Sequence, residues 1–285
     1  MLDAEEYIEQ THLFRALAER SAASEPIQET LRHIKHEVLA TTKLPMAIDF
    51  LLAELNHAGN MASAMARMPH YFTSFQTYLI ESAESEHGQF DIRRALLILQ
   101  HEAGYRAGGV SPSGLFFFQF ETLCRNKLSY DLGLDAISRD PAFDDIWRKW
   151  ILKVRHKIGL VDIADLVFVH SLYYVQREQQ SGLGNESLPD PILFDEKEGR
   201  IALANRRKEP LFFFSALQRQ LHYPTVPLPT PRDEKDEILK KLSRQFERME
   251  TRVKLLEDEQ REKGIDLSKF YGKPVDPPTS ADDTD

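Results

Sequence analysis

At 285 residues, with 42% hydrophobic and 28% charged side chains, the chain can bury a substantial core and falls outside the disordered class. A net charge of -9 argues against nucleic acid as a principal partner, because phosphate recognition needs a dominant basic field. The single cysteine, Cys124, excludes an internal disulfide framework and a cysteine-based zinc site.

The first residues, Met1-Leu2-Asp3-Ala4-Glu5-Glu6, are acidic and lack the apolar stretch of a signal peptide. No run approaches the roughly 18 apolar residues of a membrane span, so the expected setting is the cytoplasm, with no membrane partner. Residues 3–20 read as an amphipathic helix with Tyr7, Phe14, Leu17 and Ala18 on one side. Ser24-Glu25-Pro26 opens a second helix, in which Ile27, Leu31, Ile34 and Val38 step at helical spacing. Pro45 starts a third helix that runs to about His57 and stops at Gly59. A longer stretch begins near Pro69 and extends toward Tyr105, with a break at Gly88.

Ser111-Pro112 opens a helix that is apolar nearly all the way round and therefore central. It carries Cys124 among phenylalanines, which predicts an inert buried thiol. Asp140-Pro141 is expected to cap the next helix, whose stripe holds Phe143, Trp147, Trp150, Ile151, Val154 and Ile158. Residues 162–177 have strand-like composition, but their apolar spacing favours a single helix. A polar loop follows over 181–191, then two helices over about 195–207 and 210–222.

Composition then shifts. Tyr223-Pro224-Thr225-Val226-Pro227-Leu228-Pro229-Thr230-Pro231 predicts an extended, stiff spacer, since each proline fixes φ and biases its predecessor away from helix. Beyond it Leu239, Leu242, Phe246, Met249, Val253 and Leu256 alternate steps of three and four, the a/d pattern of a coiled coil. The next a position is Gln260, so the seam covers only about two and a half heptads. Arg252 and Glu257 would pair across a parallel dimer, whereas Ile238 and Leu255 widen the stripe. From Gly264 onward a disordered acidic tail is expected.

Several clusters are candidates for chemistry. Glu-x-x-His occurs twice, as Glu54…His57 and Glu84…His87. The spacing puts both ligands of each pair on one helix face and resembles the motif of carboxylate-bridged di-iron helical bundles. That resemblance, limited to two four-residue patterns, implies iron or another divalent metal. Helical geometry leaves Glu54 semi-buried but turns Glu84 toward water, so the second half of such a site is not formed on a regular helix. Glu86 falls on the apolar line between Ala83 and Phe90, with Arg93 near its edge, which predicts an internal ion pair or a polar group in a pocket.

His33, His36 and Glu37 form a further cluster; His33 and His36 lie opposite their helix's apolar side and read as surface, with metal capture as the lesser alternative. His101-Glu102 and His170 have no visible partners at ligand spacing. Arg148, Lys149, Lys153, Arg155, His156 and Lys157 line one polar face, and Arg200, Arg206, Arg207 and Lys208 form a second basic group. A solvated face balanced by acids from elsewhere is favoured over phosphate binding. The P-loop, the dinucleotide glycine fingerprint, the Gly-x-Ser-x-Gly elbow and the kinase signatures do not occur.

The sequence therefore predicts an all-α protein, an irregular multi-helix bundle with a C-terminal coiled-coil-like helix and a disordered tail. Its expected parts are a body over 1–222, a linker over 223–232, a heptad helix over 233–263 and a tail over 264–285. The functional expectation is an interaction or scaffold protein without a cofactor, joined to its own copies or to a protein partner through the heptad helix. The alternative is a metal-dependent enzyme or small-ligand-binding bundle centred on Glu54, His57 and Glu86.

Overall fold

The computed structural model describes residues 2–22, 25–85, 90–180 and 191–228, together with Met249 and Val253. The chain divides into two compact units, Met1–Pro229 and Thr230–Asp285. In the first, the helices are α1 (Ala4–Ala22), α2 (Ile27–Glu37), α3 (Leu44–Ala58), α4 (Met61–Ala66), α5 (Ser74–Glu84), α6 (Ile92–Ala107) and α7 (Pro112–Arg125). They continue with α8 (Tyr130–Ser138), α9 (Asp145–Lys157), α10 (Ile163–Val169), α11 (Leu172–Gln180), α12 (Glu196–Asn205) and α13 (Pro210–Leu221). Among the described residues extended chain pairs only at isolated bridges, Ile158 with Val161 and Ser171 with Phe194, so the fold is all-α.

Local chemistry sets the helix ends. The Asn60 side chain accepts from Ser63 N and starts α4. Thr73 and Gln76 exchange bonds in a capping box at α5, and Asp144 accepts from Trp147 N at α9. Each side-chain oxygen satisfies an N–H that the first turn leaves without an intrahelical acceptor. Gly59 ends α3 in the left-handed region at φ 74°, where a Cβ would be strained.

Helix α7 is the centre. Every residue from Ser113 to Leu123 is buried, as its all-round apolar sequence requires. The Phe116 ring meets those of Phe117 at 5.4 Å, Phe120 at 5.6 Å, Trp147 at 6.0 Å and Trp150 at 5.0 Å. Phe194 closes the same cluster against both tryptophans, while Phe213 and Phe214 of α13 pack on Phe117 and Phe120. Away from this aromatic half, α1 lies along α6, and α3 to α5 complete the wall beside them.

The structure corrects several expectations. Asp140 does not cap α9; its side chain is fully buried and turned inward, and Asp144 takes the cap. The single helix expected over 162–177 is split into α10 and α11, because His170 and Ser171 turn to bond the segment entering α12. The His170 carbonyl accepts from Leu193 N and Phe194 N, and Leu172 N donates to Phe194 O. Helices α4 and α8 have no counterpart among the helices that the sequence periodicity predicts.

Residues 223–228, expected to open the spacer, pack on the body instead. Tyr223 and Val226 are each 2% exposed. The Tyr223 hydroxyl donates to Glu121 Oε2 at 2.8 Å and approaches Phe214 O at 3.0 Å. His101 Nδ1 bonds Thr225 O at 2.9 Å. An aromatic and a β-branched side chain gain more from burial than the adjoining Pro224 and Pro227 lose by lacking N–H groups. Of the second unit Met249 and Val253 are described; both are helical and exposed. The other seam positions, Leu239, Leu242, Phe246 and Leu256, and the tail over 264–285 lie outside the described residues.

Candidate functional site

Of the four residues with metal-ligand spacing, the three that are described, Glu54, His57 and Glu84, do not form one group. Glu54 is half-buried on α3, as its helical position predicts, but its carboxylate is ion-paired with Arg67. His57 is exposed, and His87 lies outside the described residues. Among the described residues no three His, Cys, Asp or Glu side chains form a group able to hold a metal ion.

Glu84 departs from its expected solvent position. It is half-buried, and its two oxygens accept from Met61 N at 2.6 Å and Ala62 N at 2.9 Å. Together with Asn60 on Ser63 N, it supplies acceptors for the first three N–H groups of α4. The carboxylate also opposes the positive end of the helix dipole. A wheel drawn on α5 alone has no means of showing this, because the acceptor demand comes from a neighbouring helix. We expect Glu84→Ala to lower stability by about 1–2 kcal/mol, as loss of a cap does. Glu84→Gln, which keeps one acceptor, should fall between the two in chemical denaturation.

Glu86 lies outside the described residues, and its expected partner Arg93 is exposed. Helix α6 starts afresh at Ile92 behind Asp91, which resets the helical phase. The arginine that turns inward is Arg94, 7% exposed, with its guanidinium 5.9 Å from the Phe90 ring centre.

The basic face of α9 is partly neutralised. Arg155 makes a two-pronged pair with Asp131, at 2.6 and 2.9 Å, and reaches Asp135 at 3.4 Å. Arg148 binds Asp145 at 2.9 Å and Ser138 O at 3.1 Å. Lys149 and Lys153 are exposed, and Lys157 is half-buried. In the second basic group Arg200 pairs with Glu196 and Arg206 with Asp165. His33 and His36 are on the surface as expected, His33 beside Glu25 at 3.1 Å.

The internal polar centre lies elsewhere. Arg106 and Glu102 of α6, Gln119 of α7 and Asp140 before α9 form a hub with all four residues buried. Arg106 presents Nη1 and Nη2 to the two oxygens of Asp140, and Nη2 also donates to Glu102 Oε1 at 2.9 Å. Gln119 Nε2 donates to Glu102 Oε1 at 2.8 Å and to Asp140 Oδ2 at 3.1 Å. Ala142 N adds a bond to Asp140 Oδ1, and the guanidinium lies 5.8 Å from the Tyr7 ring centre of α1. Burial alone would favour loss of the Arg106 proton, but the facing carboxylates of Glu102 and Asp140 outweigh it and push the pKa above its usual value.

A sequence signal for this hub existed. Ala95, Leu99, Glu102 and Arg106 step by four, three and four, which sets two charges in line with the apolar stripe of α6. The third charge, Asp140, is 34 residues from Arg106, and its place beside a proline reads as a helix cap.

Two other titratable groups, buried His170 and half-buried Cys124, have structural partners. His170 Nδ1 bonds Pro191 O at 2.8 Å, and burial pulls its pKa below the ordinary value of 6.5. Cys124 is half-buried beside Tyr130, and burial pushes its thiol up to about 11, in keeping with an inert cysteine. A half-open cleft of about 500 Å³ runs between α4, α5 and α8, lined in part by Met65, Phe72, Tyr78, Glu81, Leu132 and Arg139. It contains none of the candidate site residues taken from the sequence.

No protein family matches the chain, and neither a curated protein nor a solved structure is significantly similar to it. Among the described residues no helix is long and apolar enough to cross a membrane.

Proposed function

We propose that the chain is a cytoplasmic interaction protein, in which a rigid helical body accompanies a segment that binds further copies of itself through residues 233–263. The observation that supports this is the state of Met249 and Val253. These consecutive d and a positions of the heptad pattern are helical, yet 63% and 51% exposed. Apolar side chains at such positions are stabilised by inserting into the facing helix of a second copy. The body contributes the mount: the buried charges of Glu102, Arg106 and Asp140 are paired with one another, and Cys124 is half-buried. Glu54 is engaged by Arg67 and Glu84 by α4, so no specific observation favours a metal centre.

Sedimentation of the full chain across micromolar to millimolar concentrations tests this. A concentration-dependent dimer or higher species is expected, and Met249→Glu combined with Val253→Glu should abolish it while the far-ultraviolet circular dichroism of the body persists. A wild-type chain that remains monomeric throughout the range would refute self-association.

A further inference from the structure

The cleft between α4, α5 and α8 is walled by two helical stripes. Ser74, Thr77, Tyr78 and Glu81 line it from α5, and Leu132, Asp135, Ala136 and Arg139 line it from α8. Both sets fall at i, i+3, i+4 and i+7, so each is one face of its helix. Phe75 and Leu79 of α5 are fully buried in the core, which sets the rotation of that helix. The Tyr78 hydroxyl donates to Ser129 O at 3.1 Å, at the N-cap of α8, and fastens one wall to the other. Met65 of α4 and Phe72, both buried, add apolar lining.

The charges on these walls do not balance. Asp135 Oδ2 pairs with Arg139 along α8, and Arg155 of α9 reaches Asp135 Oδ1 at 3.4 Å. The remaining charge in the lining is Glu81, which is exposed at the rim. Its field is felt inside the cleft: burial raises the pKa of the Tyr78 hydroxyl, and the Glu81 charge adds to the rise. The neighbouring lining is apolar or hydroxylic. Leu132 is a large aliphatic side chain left 60% exposed. The Thr77 hydroxyl donates to Thr73 O at 3.2 Å and keeps its lone pairs for accepting.

We propose that this cleft binds a small organic cation, an ammonium group on an apolar stem, with the nitrogen at Glu81 and the stem against Leu132 and Met65. A ligand carboxylate would meet Glu81 while Arg139 is held by Asp135. An uncharged apolar molecule would take water from the Glu81 carboxylate and return nothing for it. An ammonium replaces that water with an opposite charge, and its stem covers the exposed leucine. The size argues for a free molecule rather than a protein surface. A volume of about 500 Å³ is that of a small-molecule site. A stable protein interface covers about 800 Å² on each partner around an apolar centre. Of the described lining residues Leu132 alone is large, apolar and exposed, which is too little for such a centre. The site is independent of self-association through residues 233–263.

4-Phenylbutylamine and 4-phenylbutyrate share a skeleton and carry opposite charges at neutral pH. In a titration of the intact chain followed by methyl-resolved NMR, the amine is expected to shift the Met65, Leu132 and Ala136 resonances to saturation, and the acid to leave them in place. Glu81 is exposed, so Glu81→Gln keeps the fold. It should weaken the amine by about two- to fivefold, the worth of an exposed ion pair. Glu81→Lys should reverse the preference between the two probes. Equal responses to amine and acid, or an amine response unchanged in Glu81→Gln, would overturn the proposal. So would saturation confined to methyls outside the cleft, or no response up to the solubility of the amine. Tighter binding of Nα-acetyl-lysine methylamide than of 4-phenylbutylamine would assign the cleft to a protein side chain and refute the free amine.

Discussion

Replacing Arg106 by methionine should remove about 3–5 kcal/mol of stability, measured as a lower urea midpoint for the loss of helix. The change leaves Glu102 and Asp140 buried with no counter-charge, and that penalty rather than the lost attraction sets the size of the effect. Whole domains are stable by only about 5–15 kcal/mol, so the variant should be near the edge of folding. A second variant separates this explanation from simple loss of volume. If uncompensated charge is the cause, Arg106→Met combined with Glu102→Leu and Asp140→Asn should recover much of the loss. Failure to recover would indicate that the methionine itself packs badly. The recovery is expected to be incomplete, because Ala142 N and Gln119 Nε2 lose ionised acceptors.

Phe116→Ala should cost a similar amount, about 3–5 kcal/mol, through a different mechanism. The ring is completely buried and stacks on Phe120 at an interplanar angle of 7°. It also lies edge-on to Phe117 and Trp150. Truncation removes the transfer term and leaves a void whose walls are other rings, which relax poorly because each is fixed by several more. Phe116→Leu retains most of the volume and should lose much less. A differential-scanning series over the three proteins checks the order. Comparable losses for Ala and Leu would mean that ring geometry rather than occupied space is decisive.

The two sites differ in how visible they are in the sequence. The aromatic core is announced by composition: a segment apolar all round has nowhere to go but the interior, and α7 is found there. The limits of α3 follow from Pro45 and Gly59 for similarly local reasons. Long-range acceptors are not announced. Glu84 is satisfied by a helix of six residues, too short to leave a periodic trace. Glu102 and Arg106 occupy an apolar stripe that is only intelligible once Asp140 is known to meet them. The break at His170 has the same origin, since the bonds that favour it come from residues 191–194. Proline-rich composition misleads in the opposite direction: it predicts a free spacer from Tyr223, whereas the tyrosine and Val226 anchor the segment.

The chain has two tryptophans, and both, Trp147 and Trp150, are buried in one cluster around Phe116 and Phe194. Intrinsic emission is therefore a local gauge of the contact between α7, α9 and the segment entering α12. Residues 230–285 contain no tryptophan. A blue-shifted spectrum that reddens with denaturant follows the body alone, and changes in hydrodynamic size at constant emission would report the proposed association. The placement of two indoles lets the body be followed apart from residues 230–285 without the introduction of a label.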